Sequence, residues 1–123
     1  MASIMPKRKK LTKEQRMAVY NKFGGRCAYC GCEIDIKDMQ VDHIESLERG
    51  GADDINNMYP ACRSCNHYKH TYTLEDFRKA LERMPSVLMR DSVTYKIAVR
   101  FGIIKHIANP KVVFYFEKER ERE

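Results

Sequence analysis

Two matched cysteine pairs constrain this chain more than any other feature: Cys27-x2-Cys30 and Cys62-x2-Cys65. Each pair lets two thiolates reach one ion from a single turn, and two pairs complete a tetrahedral sulfur shell. Soft thiolates select zinc, and a closed four-ligand shell leaves no position for water or substrate, so such an ion is structural. It would pin the turn at Cys27–Cys30 to the segment that begins at Cys62 and close the chain between them into a loop. That loop is longer than a simple zinc ribbon needs, which leaves room for a site inside it. The competing reading, four buried free thiols, has to treat the matched spacing as coincidence. Cys32 is left over and reads as a small apolar filler before it reads as a fifth ligand, although it could compete with Cys30.

With 123 residues the chain holds one domain or one domain and an appendage, and a core of that size gains from a metal brace. Hydrophobic residues at 43% and charged residues at 33% exclude a wholly disordered chain. A net charge of +6 and a pI near 9.1 favour a polyanionic partner, nucleic acid before anionic membrane, and are also compatible with a basic protein that has neither. Met1 to Lys10 lacks the apolar stretch of a secretory signal, and no apolar run approaches a membrane span. The cysteines are therefore expected in a reducing cytoplasm, where paired spacings read as metal sites before disulfides.

Along the chain, residues 1–10 read as a basic flexible arm. The stretch LTKEQRMAVYNKFGG is expected to be a helix, with Thr12 and Gln15 forming a capping box and Gly24-Gly25 stopping it. Residues 39–44 alternate as a strand, Arg49 to Asp54 form a loop, and INNMYP returns as a short extended piece. CRSCNHYKH opens a short helix. TLEDFRKALERM is expected to be a helix ended by Pro85, and SVLMRDSVTYKIAVRFG another, closed by Gly102. KVVFYFEKE, dense in β-branched and aromatic residues, reads as a C-terminal strand in need of a pairing partner, and the charged tail after it as frayed. The expected division is arm 1–10, core 11–75, helical extension with strand 76–118, and tail 119–123.

Inside and just beyond the loop lie Asp42, His43, Asn57, Asn66, His67 and His70. A carboxylate and an amide oxygen are hard ligands suited to Mg²⁺ or Mn²⁺, and a neutral imidazole can take a proton from water. Asn66 directly follows Cys65, so a zinc would fix its position, and His70 falls one helical turn further on. Singly, each residue has a plainer reading: Asp42 as a turn cap, His43 as a half-buried structural histidine, Asn57 as a brace of its own turn, Asn66 as a cap, His67 and His70 as solvated positions. In a regular strand Asp42 and His43 also point to opposite faces.

The order Cys27-x2-Cys30, Val41-Asp42-His43-Ile44, Gly50-Gly51, Asn57, Cys62-x2-Cys65-Asn66 with Lys69 behind it resembles the HNH endonuclease family over roughly residues 12–75. The resemblance implies an α+β fold: a ββα-metal core with a structural zinc, accompanied here by helices and the C-terminal strand. It implies His43 as general base, Asn57 as the residue that orients it, and Asp42 and Asn66 as ligands of a catalytic Mg²⁺ or Mn²⁺. His70 is a candidate further ligand. Many members carry His where Asn66 stands, so the chain resembles an H-N-N variant. Hydrolysis of DNA phosphodiester bonds, to 5′-phosphate and 3′-hydroxyl ends, is the implied activity.

Lys7, Arg8, Lys9 and Lys10, with Arg49, Arg63 and Lys69 beside the site, are expected to meet DNA phosphates, double-stranded by preference, with strong salt dependence and little sequence preference. Lys13, Arg16 and Arg26 add to the same basic region. A homodimer is compatible with the unpaired C-terminal strand. The rival readings are a non-catalytic zinc-containing DNA-binding or phage packaging-accessory module, and a zinc scaffold for protein contacts.

Overall fold

In the computed structural model, which describes residues 10–122 and side chains as far as Glu119, the first helix begins where its cap demands. Thr12 Oγ1 accepts from the Gln15 N–H at 3.0 Å while Gln15 Oε1 accepts from the Thr12 N–H at 2.9 Å, which satisfies two donors the helix would otherwise leave open. Helix α1 spans Lys13–Asn21, and the chain then turns at Gly24-Gly25. The two strands follow: β1, Gln40–His43, pairs antiparallel with β2, Met58–Ala61, in the register Gln40↔Ala61 to His43↔Met58. Short 3₁₀ turns at Ile36–Asp38, Leu47–Arg49 and Ile55–Asn57 shape the connections. Helix α2, Arg63–Lys69, leaves β2 directly, with the Cys62 sulfur as its N-cap acceptor.

Val19, Met39, Val41 and Met58 form the buried core between α1 and the hairpin, closed at its margin by Leu11, Tyr20, Ile34, Ile36 and Ile55. Arg16 and Lys22 act inside this frame. The Arg16 guanidinium donates to the Ile36 and Met39 carbonyls, and the Lys22 ammonium to those of Ile55 and Met58. Arg16 and Arg26, expected on a basic face, are thus half-buried clamps; Arg26 bonds the Gly31 carbonyl and Glu33.

The chain divides into two compact units, one ending at Leu74 and resuming at Val113, the other Glu75–Val112. In the second, α3 (Leu74–Asp91) and α4 (Val93–Arg100) meet at Ser92, whose side chain caps α4 through the Tyr95 N–H. Pro85 does not end α3 as expected. Phe77, Leu81, Met84 and Leu88 continue one helical face past it, and a proline forfeits one internal hydrogen bond without forbidding the turn. Within this unit Arg78 donates to the Val112 carbonyl, and Glu82 accepts from the Val112 N–H.

The expected C-terminal strand is absent among the described residues. Residues 111–114 are coil that belongs to no strand and α5 occupies Tyr115–Arg122, so the tail expected to fray is helical through Arg122. The first turn of a helix has free N–H groups, and here those of Tyr115 and Phe116 donate to the carbonyls of Tyr29 and Ala28 at 2.9 and 2.8 Å. Glu117 in turn accepts from the Phe114 N–H. Phe114 and Phe116, which suggested a strand, instead join an aromatic cluster with Phe23, Tyr29 and Tyr59, in which most ring pairs meet edge-to-face, Tyr59 and Phe116 are tilted, and Phe114 and Phe116 stack. The segment from Val113 therefore belongs with the first unit rather than with the helical extension.

Candidate active site and metal centre

Cys27 and Cys30 sit on a tight turn closed by the Cys27 N–H to the Cys32 carbonyl, 2.9 Å, and by the Arg26–Glu33 bridge. Cys62 and Cys65 sit on the first turn of α2. Their four sulfurs lie within 4.8 Å of one another. A zinc–sulfur distance of about 2.3 Å gives a tetrahedral sulfur–sulfur edge of about 3.8 Å, and Cys30 Sγ stands 3.8 Å from Cys62 Sγ. Donor chemistry agrees with the spacing. Cys27 is held down to about 4, first by the bond from the Cys65 thiol and further by the N–H groups of Cys30, Cys62 and Tyr29. Cys65 is pushed far up by giving that bond, by burial and by the charge of Cys27. A divalent cation would relieve that conflict, and the four residues fit zinc. Cys32 is exposed and pushed up to about 12, first by burial of its sulfur and then by Cys30 and Cys62, so it borders the cluster without completing it.

His43 ends β1 with 9% of its side chain exposed, and Nε2 lies 2.9 Å from Asp53 Oδ1. Nδ1 has no protein partner among the described residues. Every buried side-chain nitrogen and oxygen among them has one, so Nδ1 reaches solvent. Asp42 takes a different direction. Its Oδ2 accepts from the Tyr29 hydroxyl and faces the Lys69 ammonium at 3.0 Å. Burial raises the Asp42 carboxyl, with Lys69 and Tyr29 pulling the other way. Burial, then the Asp42 charge, push the Tyr29 phenol well above its usual range, so it remains a donor.

Lys69 is fully buried and also donates to the His43 carbonyl at 3.0 Å. This corrects the expectation of a phosphate-binding surface lysine: the carboxylate below it requires a counter-charge, and the side chain turns inward to supply one. Asn57 ends its 3₁₀ turn with Oδ1 accepting from the Glu45 N–H and Nδ2 donating to the Glu45 and Ala52 carbonyls, all at 2.8–2.9 Å. Asn66 is half-buried on α2, and its side-chain amide makes no hydrogen bond among the described residues. His70 is the C-cap of α2: its N–H still donates to the Asn66 carbonyl at 3.1 Å, but its backbone has left the helical conformation. The helix ends at Lys69, His70 takes φ 48°, and its exposed ring lies by the Thr71 hydroxyl. His67 is exposed beside Tyr68. Lys10, Arg49 and Arg63 are exposed, Arg49 donating to the Thr71 carbonyl, while Lys7, Arg8 and Lys9 lie outside the described residues.

Comparison with known proteins places this geometry. Residues 27–71, from the first zinc-type cysteine to the end of the α2 turn, match the family model described as HNH endonuclease. Residues 27–71 form a domain of the HNH endonuclease family. A curated relative, the "SPbeta prophage-derived putative HNH endonuclease YoqL" of Bacillus subtilis (strain 168), is 34% identical over 79 residues, 58% of this chain. The chain spans about a third of that relative, 34% of its length. Among solved structures, the Type II-C Cas9 enzyme from Actinomyces naeslundii matches 61% of this chain and 9% of its own, with a TM-score of 0.50 and 23% identity, a likeness of fold. The HNH domain here is the β1–β2 hairpin and α2, with the cysteine cluster joining the knuckle to the helix.

The hard-ligand set is the part the geometry leaves open to a cation by chemistry alone. Asp42 offers a carboxylate whose contacts with Tyr29 and Lys69 fall on Oδ2, and Asn66 offers an amide with no hydrogen bond among the described residues. Both are oxygen donors that fit Mg²⁺ or Mn²⁺. Asp53 is the residue that sequence reasoning missed. A loop aspartate after Gly50-Gly51 carries no local mark of a histidine partner; only its place between those glycines and Asn57 could have suggested one.

Proposed function

We propose that this chain is a zinc-braced, Mg²⁺- or Mn²⁺-dependent endonuclease that hydrolyses DNA phosphodiester bonds. The observation that carries the reading is the imidazole of His43, buried on one side, with Nδ1 open to solvent at the rim of an HNH domain. His43 would take the proton of a water attacking phosphorus. Asn57 would keep the loop above the ring in shape. Asp42 and Asn66 would hold the divalent ion, which when bound supplies Lewis-acid stabilisation of charge on the phosphate and the leaving oxygen. Lys10, Arg49 and Arg63, with Lys7, Arg8 and Lys9, would bind duplex phosphates, each neutralised charge adding about 0.9 to the slope of log affinity against log salt. The protein would act in the cytoplasm of a bacterium or of a phage-infected cell.

A DNA-binding module without catalysis is the competing reading, favoured by the ammonium of Lys69 on the same carboxylate that would hold the ion. Incubation of supercoiled plasmid across a Mg²⁺, Mn²⁺ and Ca²⁺ series separates the two. Nicking with Mg²⁺ or Mn²⁺, reduced about 10²–10⁴-fold in His43→Ala with zinc content unchanged, is the expected result. Plasmid equally intact with both proteins, though bound by both, establishes the module instead.

A further inference from the structure

Resting on that reading, we propose that Asp53 is the positioning partner of His43: its carboxylate holds the ring as the Nε2-protonated tautomer and turns Nδ1 outward as the proton acceptor. Asp53 Oδ1 lies 2.9 Å from His43 Nε2, and both side chains are largely enclosed, at 19% and 9% exposure. An ionised carboxylate can only accept, so the ring nitrogen facing it carries the proton. In the neutral imidazole the lone pair is then on Nδ1, the nitrogen that reaches solvent. A ring without such a partner can turn about its χ2 bond or exchange tautomers, and either change points an N–H at the incoming water.

The loop is built to keep Asp53 in place. Asn57 Nδ2 donates to the carbonyl of Ala52, the residue before it, and Asp54 on its other side accepts from the Asn56 N–H at 2.8 Å. The backbone on both flanks of Asp53 is therefore tied down, and Asn57 reaches the histidine through Asp53 rather than by touching it. Lys69 adds the third constraint, holding the His43 carbonyl at 3.0 Å so that the strand end cannot rotate. Asp53 is a positioning residue, acting through His43 and not on the phosphate.

The test is long-range ¹H–¹⁵N correlation NMR of the imidazole nitrogens in the zinc-loaded full chain, with the His43 signal assigned by its loss in His43→Ala. The wild type is expected to show a single Nε2–H tautomer, and Asp53→Ala a mixture. The same variant should nick plasmid about 10²-fold more slowly, the usual consequence of a misplaced catalytic group, with DNA affinity unchanged. If Asp53→Ala fails to fold, Asp53→Asn carries the test, because its amide can offer the ring either oxygen or nitrogen and the tautomers should again mix. A wild-type Nδ1–H tautomer, or a tautomer unmoved by either substitution, overturns the proposal. If the tautomer shifts as expected while the wild type leaves plasmid uncut, the Asp53 assignment stands and the endonuclease reading falls.

Discussion

Nζ of Lys69 lies 3.0 Å from Oδ2 of Asp42, with 0% and 5% of their side chains exposed. Two opposite charges this deep attract strongly but also lose their hydration, so the pair matters most when one member is removed. Lys69→Met strands a buried carboxylate and should lower stability by about 3–5 kcal/mol. Burial already raises the Asp42 carboxyl above its ordinary 3.8. A raised carboxyl contributes most to stability when protonated, and that contribution is lost as pH rises through its folded-state value. The Lys69→Met penalty should therefore shrink on acidification, and Asp42→Asn in the same background should recover part of it at neutral pH. Urea unfolding at neutral and acid pH checks this; a penalty independent of pH would mean the carboxylate is not what Lys69 balances.

The four-sulfur cluster should hold one zinc per chain and the fold should depend on it, since a structural zinc carries about 10 kcal/mol or more of apparent binding energy. Uptake by the metal-free protein should release protons, those of the raised Cys30 and Cys65 thiols among them, while Cys27 at about 4 is already a thiolate. Zinc affinity should accordingly rise with pH. Chelation followed by circular dichroism should show loss of tertiary and helical signal, and Cys32→Ser should leave the zinc content unchanged. A chelated protein that melts at the same temperature would remove the brace from the account.

Some of this was legible in the sequence because the information is local. The cysteine spacing, the Thr12–Gln15 cap and the alternation around Val41 each rest on neighbours within a few residues. Lys69 and Asp53 were illegible for the opposite reason. A lysine on a short helix and an aspartate in a loop look solvated until the tertiary fold brings Asp42 to one and His43 to the other. The C-terminal segment misled through composition: Phe114 and Phe116 have strand propensity, but free helix N–H groups meeting the knuckle carbonyls decided the outcome.

Asn57 ties Glu45 to Ala52 through three hydrogen bonds. At roughly 0.5–1.5 kcal/mol each, Asn57→Ala should cost on the order of 2–4 kcal/mol. Asn57→Asp keeps the acceptor and loses both donors, so it should fall between alanine and the wild type. The denaturation midpoint should move with little change in slope. A shift of less than about 0.5 kcal/mol, the range of ordinary surface substitutions, would show that the loop does not depend on this side chain.

Gly50 and Gly51 look interchangeable in the sequence and are not in the structure. At Gly51 an added Cβ would stand 1.9 Å from the Glu45 carbonyl oxygen and 2.6 Å from its carbon. Both are backbone atoms, so no side-chain rotation relieves the clash, and the Gly51 N–H bond to the Ser46 carbonyl, 2.9 Å, would have to break as the loop opens. Gly50 has φ +89° and open space around it, so alanine there meets only the left-handed backbone penalty of about 1–2 kcal/mol. Gly51→Ala should cost more than Gly50→Ala. It should also loosen the Asp53–His43 contact, because residues 45–57 share one hydrogen-bonded loop. Paired thermal melts and the His43 tautomer spectrum measure both effects. If Gly50→Ala proves the more damaging of the two, the close approach of Gly51 to the Glu45 backbone is not what shapes this loop.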